Sequence, residues 1–312
     1  MCSPLKNVIS ISRRTDIPAF YADWFVERVR QGEVYIKNPY SGTFSCVSLK
    51  PGDVSCFVFW SRNYAPLIPY LKTIEKTTSN LYFHLTITGM PDSLEHNTPP
   101  YKEAAHDFRY LAGRYSPEHV MWRFDPICIT DKLPFEFFED RFVTCAEMLQ
   151  GYCRNCVISF VHAYNKVYAN LKKYSDHILV DVPEGTRKNY ARRLAKIAER
   201  YGIKLHACCN DHLLSDNVHK GRCINGADLA RLFADPTITI QLAPTRRECA
   251  CTKSIDIGAY DTCPHGCLYC YANADKETSR AAFVRQDSRW NALGANVDEA
   301  SERDEHRQYR LF

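Results

Sequence analysis

No apolar run in this chain approaches the roughly 18 residues that a membrane span needs. The first residues, Met1 to Lys6, contain no apolar stretch of the kind that opens a secretory signal, so secretion is not expected. There is no internal repeat and no low-complexity linker. There is also little excess of either charge. Forty basic residues face 36 acidic ones, for a net +4 and a pI near 8.3. That balance is too mild to argue for nucleic acid by itself. What remains is ordinary globular composition, 45% hydrophobic and 24% charged, which excludes wholesale disorder. The 312 residues and 36.0 kDa correspond to about two domains, or to one α/β barrel. A compact chain of that size buries about three quarters of its unfolded surface.

Cysteine is abundant: 15 residues. With no signal segment read at the start, the expected location is cytoplasmic, a reducing setting where structural disulfides are rare. Clustered cysteines there point first to metal or iron–sulfur binding.

Residues 1–245 read as an α/β unit. Strand-like runs are Val8–Ser12, Val34–Ile36, Val54–Trp60, Leu81–Thr88, Val120–Phe124, Val157–Val161, Lys204–Ala207 and Thr237–Leu242. Several lack strict alternation, as expected of strands buried on both faces. Helices are predicted at Tyr21–Arg30, Tyr101–Tyr115, Phe135–Gln150, Lys188–Tyr201 and Ala227–Phe233. Eight strands alternating with helices predict a parallel sheet, either a (β/α)8 barrel or an incomplete TIM-like barrel. Residues 246–274 form a cysteine-rich segment expected to pack on that barrel. Residues 275–312 carry eight acidic and seven basic side chains and read as a charged C-terminal extension. Phe283, Trp290, Leu293, Leu311 and Phe312 are its candidate pins.

The informative stretch is Cys263-Pro-His-Gly-Cys267-Leu-Tyr-Cys270. Three thiolates on one short loop can grip three irons of a cubane. Iron–sulfur clusters normally take four cysteines, so this loop implies a distant fourth ligand or an open iron. Gly266 permits a tight backbone path and Pro264 stiffens it. His265 reads as a turn residue, or as one that supports the ligands from behind, rather than as a ligand.

This C-x3-C-x2-C spacing, with an aromatic residue before the last cysteine, resembles the cluster loop of the radical S-adenosylmethionine (SAM) enzymes. The resemblance implies a [4Fe–4S] cluster whose open iron is chelated by SAM. It also implies reductive cleavage of SAM to a 5′-deoxyadenosyl radical, an external reductant such as flavodoxin or ferredoxin, and an adenine contact at Tyr269. Two features depart from that family. The loop follows the last strand rather than the first, and no Gly-Gly-Glu follows a middle strand. Thr86-Ile-Thr88-Gly89 occupies one such place without an acid. In a closed barrel the last strand neighbours the first, so a C-terminal loop reaches the same catalytic face.

Over roughly residues 8–275 the chain is also similar to an uncharacterised family, domain of unknown function 1848. The stretches that carry this are Ile9-Ser-Ile-Ser-Arg-Arg-Thr-Asp-Ile-Pro18, Phe57-Val-Phe-Trp-Ser-Arg-Asn63, Trp122-Arg-Phe-Asp-Pro126 and Ser254-Ile-Asp-Ile-Gly-Ala-Tyr260. The resemblance implies the fold and a C-terminal radical-SAM-like cysteine motif, and it supplies no substrate.

Cys249, Cys251 and Cys223, with Cys209 or Cys208, make a second candidate set. Four ligands suit an auxiliary [4Fe–4S] cluster or a closed structural zinc site; alternatively one of the Cys249–Cys251 pair completes the first cluster. Cys46, Cys56, Cys128, Cys145, Cys153 and Cys156 lie in or beside apolar stretches and read as small buried hydrophobes.

Barrel chemistry collects at the C-terminal ends of strands. Candidates there are Arg13, Arg14, Thr15 and Asp16, then Ser61, Arg62 and Asn63, then Thr88, Arg123 with Asp125, His162 with Tyr164, and Asn210. Arg13, Arg14, Asp16, Arg62, Arg123 and Asp125 are the candidate catalytic groups; Asn63 and Thr88 join Tyr269 as candidate cofactor contacts. Arginine offers a planar fork to carboxylate or phosphate. Each also has a plainer reading: Thr15 or Asp16 as a helix cap before Pro18, Arg123 and Asp125 as a mutual pair, Asn63 as a cap, and His162 as a buried histidine. The leading expectation is a radical SAM enzyme with an unknown substrate. The alternative is a non-catalytic iron–sulfur or zinc protein that binds nucleic acid, by aromatic stacking and basic groups, or a protein partner.

Overall fold

A computed structural model describes residues 6–297. Leu311 and Phe312 lie outside the described residues. The strands are β1 (Asn7–Ile11), β2 (Glu33–Lys37), β3 (Phe44–Ser48), β4 (Val54–Ser61), β5 (Leu81–Thr86), β6 (Val120–Ile127), β7 (Asn155–Phe160), β8 (Lys204–Ala207), β9 (Val218–Lys220) and β10 (Ile255–Asp256). The helices are α1 (Ile17–Phe20), α2 (Ala22–Gln31), α3 (Leu71–Ile74), α4 (Tyr101–Arg114), α5 (Phe135–Leu149), α6 (Asn165–Tyr174), α7 (Glu184–Arg200), α8 (Gly226–Leu232) and α9 (Lys276–Arg285).

Eight strands form one parallel sheet in the order β10-β1-β4-β5-β6-β7-β8-β9. From β4 to β8 the order follows the chain, as right-handed crossovers through helices produce. Two expected strands are corrected. Val34–Ile36 lies in β2, which pairs antiparallel with β3 as a separate hairpin instead of joining the sheet. Thr237–Leu242 is not a strand; Ile238 and Leu242 make only single bridges, to Lys6 and Thr252. The short β9 and β10 take the sheet edges.

The two faces of the sheet differ in chemistry. One face carries Ile9, Ile11, Phe57, Phe59, Phe83, Leu85, Trp122 and Phe124 into the main core. There Phe25 of α2, Phe108 of α4 and Phe142 of α5 cover them, with Phe59 stacked on Phe83 at 5.3 Å and Phe142 on Trp122 at 4.7 Å. Each fully buried side chain of this size stabilises the fold by about 2–3 kcal/mol. The alternate residues point the other way, because successive side chains of a strand take opposite faces. Near β1 and β4 that second face is apolar, with Val8, Cys56 and Val58 packed under Ile224 and Leu229. Toward the strand C-termini it turns polar, with Ser10, Trp60, His84, Arg123 and Ser159. The expectation of strands buried on both faces holds for β1, β4 and β7, and the second face adds buried polar groups at the strand ends.

β10 pairs with β1 in the register Ile9↔Ile255 and Ser10↔Asp256. The segment that leads into Cys263–Cys270 thus leaves the sheet beside the first strand. Beyond the loop, α9 is capped by Asp275. Its Phe283 ring meets Phe20 at 5.6 Å and Tyr21 at 5.4 Å. Trp24 Nε1 donates to the Trp290 carbonyl at 2.8 Å, and Leu293 is buried. Among the described residues no helix is long and apolar enough to cross a membrane.

Candidate functional site

Two carboxylates weld the 263–270 loop to the sheet. Asp256, at the end of β10, accepts from Ser10 Oγ at 2.8 Å, Ser12 Oγ at 2.7 Å, the Arg13 amide at 2.9 Å and the Gly258 amide at 3.1 Å. Gly258 is required there by close approach. A Cβ on it would stand 1.9 Å from Ser12 Oγ and 2.6 Å from Ser12 Cβ. Asp16 caps α1 by accepting from the Ala19 amide at 3.1 Å. It also accepts from Ser61 Oγ at 2.6 Å, the Arg62 amide at 2.8 Å and His265 Nε2 at 2.7 Å. The capping role and the site role of Asp16 therefore coexist.

The loop itself turns at Gly266, whose φ of 71° lies in the left-handed region that glycine occupies without strain. Both ring nitrogens of His265 face oxygen acceptors, Asp16 and the Asn97 carbonyl. Asn97 Nδ2 donates to the Pro264 carbonyl at 2.9 Å, the Leu268 amide to Leu94 O at 3.0 Å, and Asn273 Nδ2 to Cys263 O at 2.7 Å. Its backbone is thus held by the β5–α4 connection on one side and by its own exit on the other.

Behind the loop lies a buried polar knot. Arg62 Nη1 pairs with Glu95 at 2.9 Å and Nη2 donates to Tyr269 Oη at 2.6 Å, while Tyr269 donates to Glu95. Thr88 Oγ1 donates to Glu95 at 3.0 Å. The strand end that lacked an acid in the sequence motif therefore receives one from Glu95, seven residues further on. Tyr269 is buried, with its hydroxyl engaged on both sides. Asn63 caps a turn, accepting from the Ala65 amide at 3.1 Å. Arg14 donates to the Gly258 carbonyl at 3.3 Å and lies over Tyr260.

Cys263, Cys267 and Cys270 are half-buried. Burial pushes all three thiols up, Cys267 to about 12, and Cys270 adds to the cost of ionising both others. Arg62 opposes that rise at Cys267, and Lys166 and Arg62 oppose it at Cys270. Three cysteines on one short loop are a donor set of the kind that iron–sulfur clusters take, with thiolate as the ligand form. Among the described residues no three His, Cys, Asp or Glu side chains enclose a single ion. Cubane ligands, by contrast, bind separate irons and do not converge on one point.

The polar face of the sheet holds a second constellation. Trp60 stacks on His84 at 4.0 Å and donates through Nε1 to Ser10 Oγ at 3.0 Å. Arg13 and Arg123 lie over the Trp60 ring at 5.1 and 5.2 Å. Arg123 pairs with Asp125, which also accepts from Ser159. Arg13 Nη2 is buried and has no hydrogen-bond partner among the described residues. His84 is held well below its usual value, to about 3, by burial and then by Arg123. The expected mutual pair of Arg123 and Asp125 is present, and it flanks an aromatic stack that sequence reasoning passed over. Cys208, Cys209, Cys223 and Cys251 gather beside this stack with Met121 and Val157, and Cys249 packs against them. His162 is exposed rather than buried as expected, and partial desolvation and then Arg246 lower it. Tyr164 is exposed. Asn210 accepts from the Phe160 amide at 3.1 Å, a structural tie between β7 and the end of β8.

Glu95, Asp256, Trp60 and His84 are the site residues that sequence reasoning missed. Asp256 lay inside a quoted stretch, and Trp60 with His84 carried a signal in the alternation of β4 and β5. Glu95 had none.

A family model described as Domain of unknown function (DUF1848) matches residues 8–272. No curated protein matches the chain. The chain belongs to this family.

Proposed function

We propose that the protein is an iron–sulfur enzyme of the radical SAM type, with Cys263, Cys267 and Cys270 as cluster ligands and an unknown substrate. One observation carries the reading: the three cysteines of one short loop follow a strand that pairs with β1. That is the sheet position from which a cluster loop after a first strand would start. A [4Fe–4S] cluster held by Cys263, Cys267 and Cys270 would supply the electron for reductive cleavage of SAM, and so the radical chemistry that takes hydrogen from substrate.

The chain's own residues have definable tasks. The three thiolates bind the cluster. Asn97 and Asn273 hold the loop backbone at Pro264 and Cys263, and Asp16 holds the His265 side chain. Leu268 and Tyr269, both buried, keep water from the inner side of the loop. Arg62, pairing with Glu95 and Tyr269, sets a fixed positive group beside Cys267, which it favours in the thiolate form. The sheet is read as an incomplete barrel with β9 and β10 as its rims. Arg13, Arg123 and Trp60 on the polar face are candidate substrate contacts, with the guanidiniums suited to an anionic group. The setting is a reducing cytoplasm with a flavodoxin- or ferredoxin-type reductant.

The test is anaerobic reconstitution, with iron and sulfide counted and EPR spectra of the reduced protein taken with and without SAM. The expected result is a cluster spectrum that SAM perturbs and that Cys267→Ala removes. A cluster blind to SAM, or SAM cleavage unchanged in Cys267→Ala, would overturn the reading.

A further inference from the structure

Five of the described cysteines lie outside the loop yet touch one another. Cys208 and Cys209 follow β8, Cys223 follows β9, and Cys249 and Cys251 lie between α8 and β10. Their sulfurs form a string. Cys209 Sγ is 3.9 Å from Cys208 Sγ, and Cys208 Sγ is 3.2 Å from Cys223 Sγ. Cys251 lies in the same buried cluster as Cys208, Cys209 and Cys223, and Cys249 packs against it. All are free thiols. Small buried hydrophobes do not need sulfur-to-sulfur contact, so chance apolar packing does not account for a string assembled from three separate segments.

The surrounding charge is positive. Arg123 Nη1 donates to Cys223 Sγ at 3.3 Å. Arg246 hydrogen-bonds Cys209. Arg13 bears on Cys251 from across Trp60. The Asp125 carboxylate pairs with Arg123. Three guanidiniums and one carboxylate leave a net of two positive charges facing the sulfurs. Four thiolates around a doubly positive core carry two negative charges, the complement of that field. Met121, Val157, Tyr82 and Trp60 close the site against water.

We propose that Cys208, Cys223, Cys249 and Cys251 form a second, four-thiolate metal centre for a dicationic core, a zinc ion or a [4Fe–4S] cluster, with Cys209 outside it. Cys208 rather than Cys209 is the ligand because its sulfur meets Cys223 at 3.2 Å, whereas the sulfur of Cys209 reaches the group only through Cys208, at 3.9 Å; Arg246 reaches both. As found, the thiols touch each other instead of surrounding a point, consistent with no three donors enclosing an ion among the described residues. Loading therefore opens the string. For zinc, bound at about 2.3 Å by each thiolate in a tetrahedron, the Cys208–Cys223 contact must lengthen to about 3.8 Å. This centre stands whether or not the 263–270 loop binds SAM.

The experiment uses the full chain with Cys263, Cys267 and Cys270 all changed to Ser, purified anaerobically, with zinc, iron and acid-labile sulfide counted. The expected result is about one zinc, or about four irons with matching sulfide, per chain. Sulfide content separates the two cores. Adding Cys208→Ser with Cys251→Ser removes the metal, whereas adding Cys209→Ser leaves it. Cys249→Ser, at the half-exposed end of the string, lowers occupancy without opening the core and serves if the double change unfolds the chain. A metal-free triple variant, or metal that survives both Cys208→Ser with Cys251→Ser and Cys249→Ser, overturns the proposal. Failure of the SAM reading shows only in the wild-type EPR spectra, so the two are separable.

Discussion

Replacing Asp16 by Ala removes one carboxylate that four donors share. The Ala19 amide, Ser61 Oγ, the Arg62 amide and His265 Nε2 all point at it, and Asp16 is 8% exposed. At about 1 kcal/mol for each lost hydrogen bond, the expected cost is about 4 kcal/mol. That agrees with the roughly 3–5 kcal/mol seen when one partner of a buried charged pair is deleted. An unfolding entropy of about 2.1 cal/mol/K per residue makes this a drop in Tm of about 6 °C. Asp16→Asn separates the two halves of the carboxylate. The retained oxygen can still accept from Ala19 and Ser61, but an amide NH2 then faces the Arg62 and His265 donors. About half the loss, near 2 kcal/mol, is expected. The assay is urea and thermal unfolding followed by circular dichroism, on chelator-treated protein so that metal binding does not enter. A Tm within about 1 °C of wild type for Asp16→Ala would show that His265 and Arg62 find other partners, and would refute Asp16 as the anchor of the loop.

Gly258→Ala forces a Cβ into Ser12. It is expected to cost about 1–3 kcal/mol and to free β10, read as a lower urea midpoint and new protease cleavage between residues 255 and 262; an unchanged midpoint would contradict the close approach. His119, lowered below its ordinary value of 6.5 by burial, takes its proton later in the folded chain than in the unfolded one. Stability is therefore held above about pH 6.5 and lost as pH falls below it, by at most about 1.4 kcal/mol per pH unit from this residue. Unfolding of wild type and His119→Gln compared at pH 7 and pH 5.5 should show the shallower loss in the variant.

The strands β4 to β7 were legible because they are dense in aliphatic and aromatic residues, a pattern that burial explains. Thr237–Leu242 carries isoleucine and leucine in a similar run, yet its backbone meets partners one residue at a time, and periodicity cannot distinguish a bridge from a ladder. β9 and β10, at three and two residues, are too short to carry any period; register with a neighbour defines them. Val34–Ile36 read as a sheet strand because the turn at Ser41-Gly42-Thr43, which folds it back on β3, was not weighed. The loop cysteines were legible from spacing alone. Glu95 was not, since nothing local marks it, and only Arg62, Thr88 and Tyr269 converging from three elements reveal it. The thiol string was legible as a set of four, but the choice between Cys208 and Cys209 needed the side-chain directions at the end of β8.

The pairing of β10 with β1 joins residues 246 positions apart, Ser10 to Asp256. A ribosome adding about 5–20 residues per second exposes Ser10, Ser12, Asp16 and Ser61 well before Asp256 and the loop emerge. Until then the β1 edge of the sheet is an unpaired template, and the receiving groups for the loop have nothing to receive. The cysteines that would take up iron are thus the last part of the family-matched region to be made, and they meet a scaffold that can already be folded. A chain truncated before residue 255 has neither the edge strand nor the loop thiols Cys263, Cys267 and Cys270, and it leaves an open sheet edge for quality control to recognise.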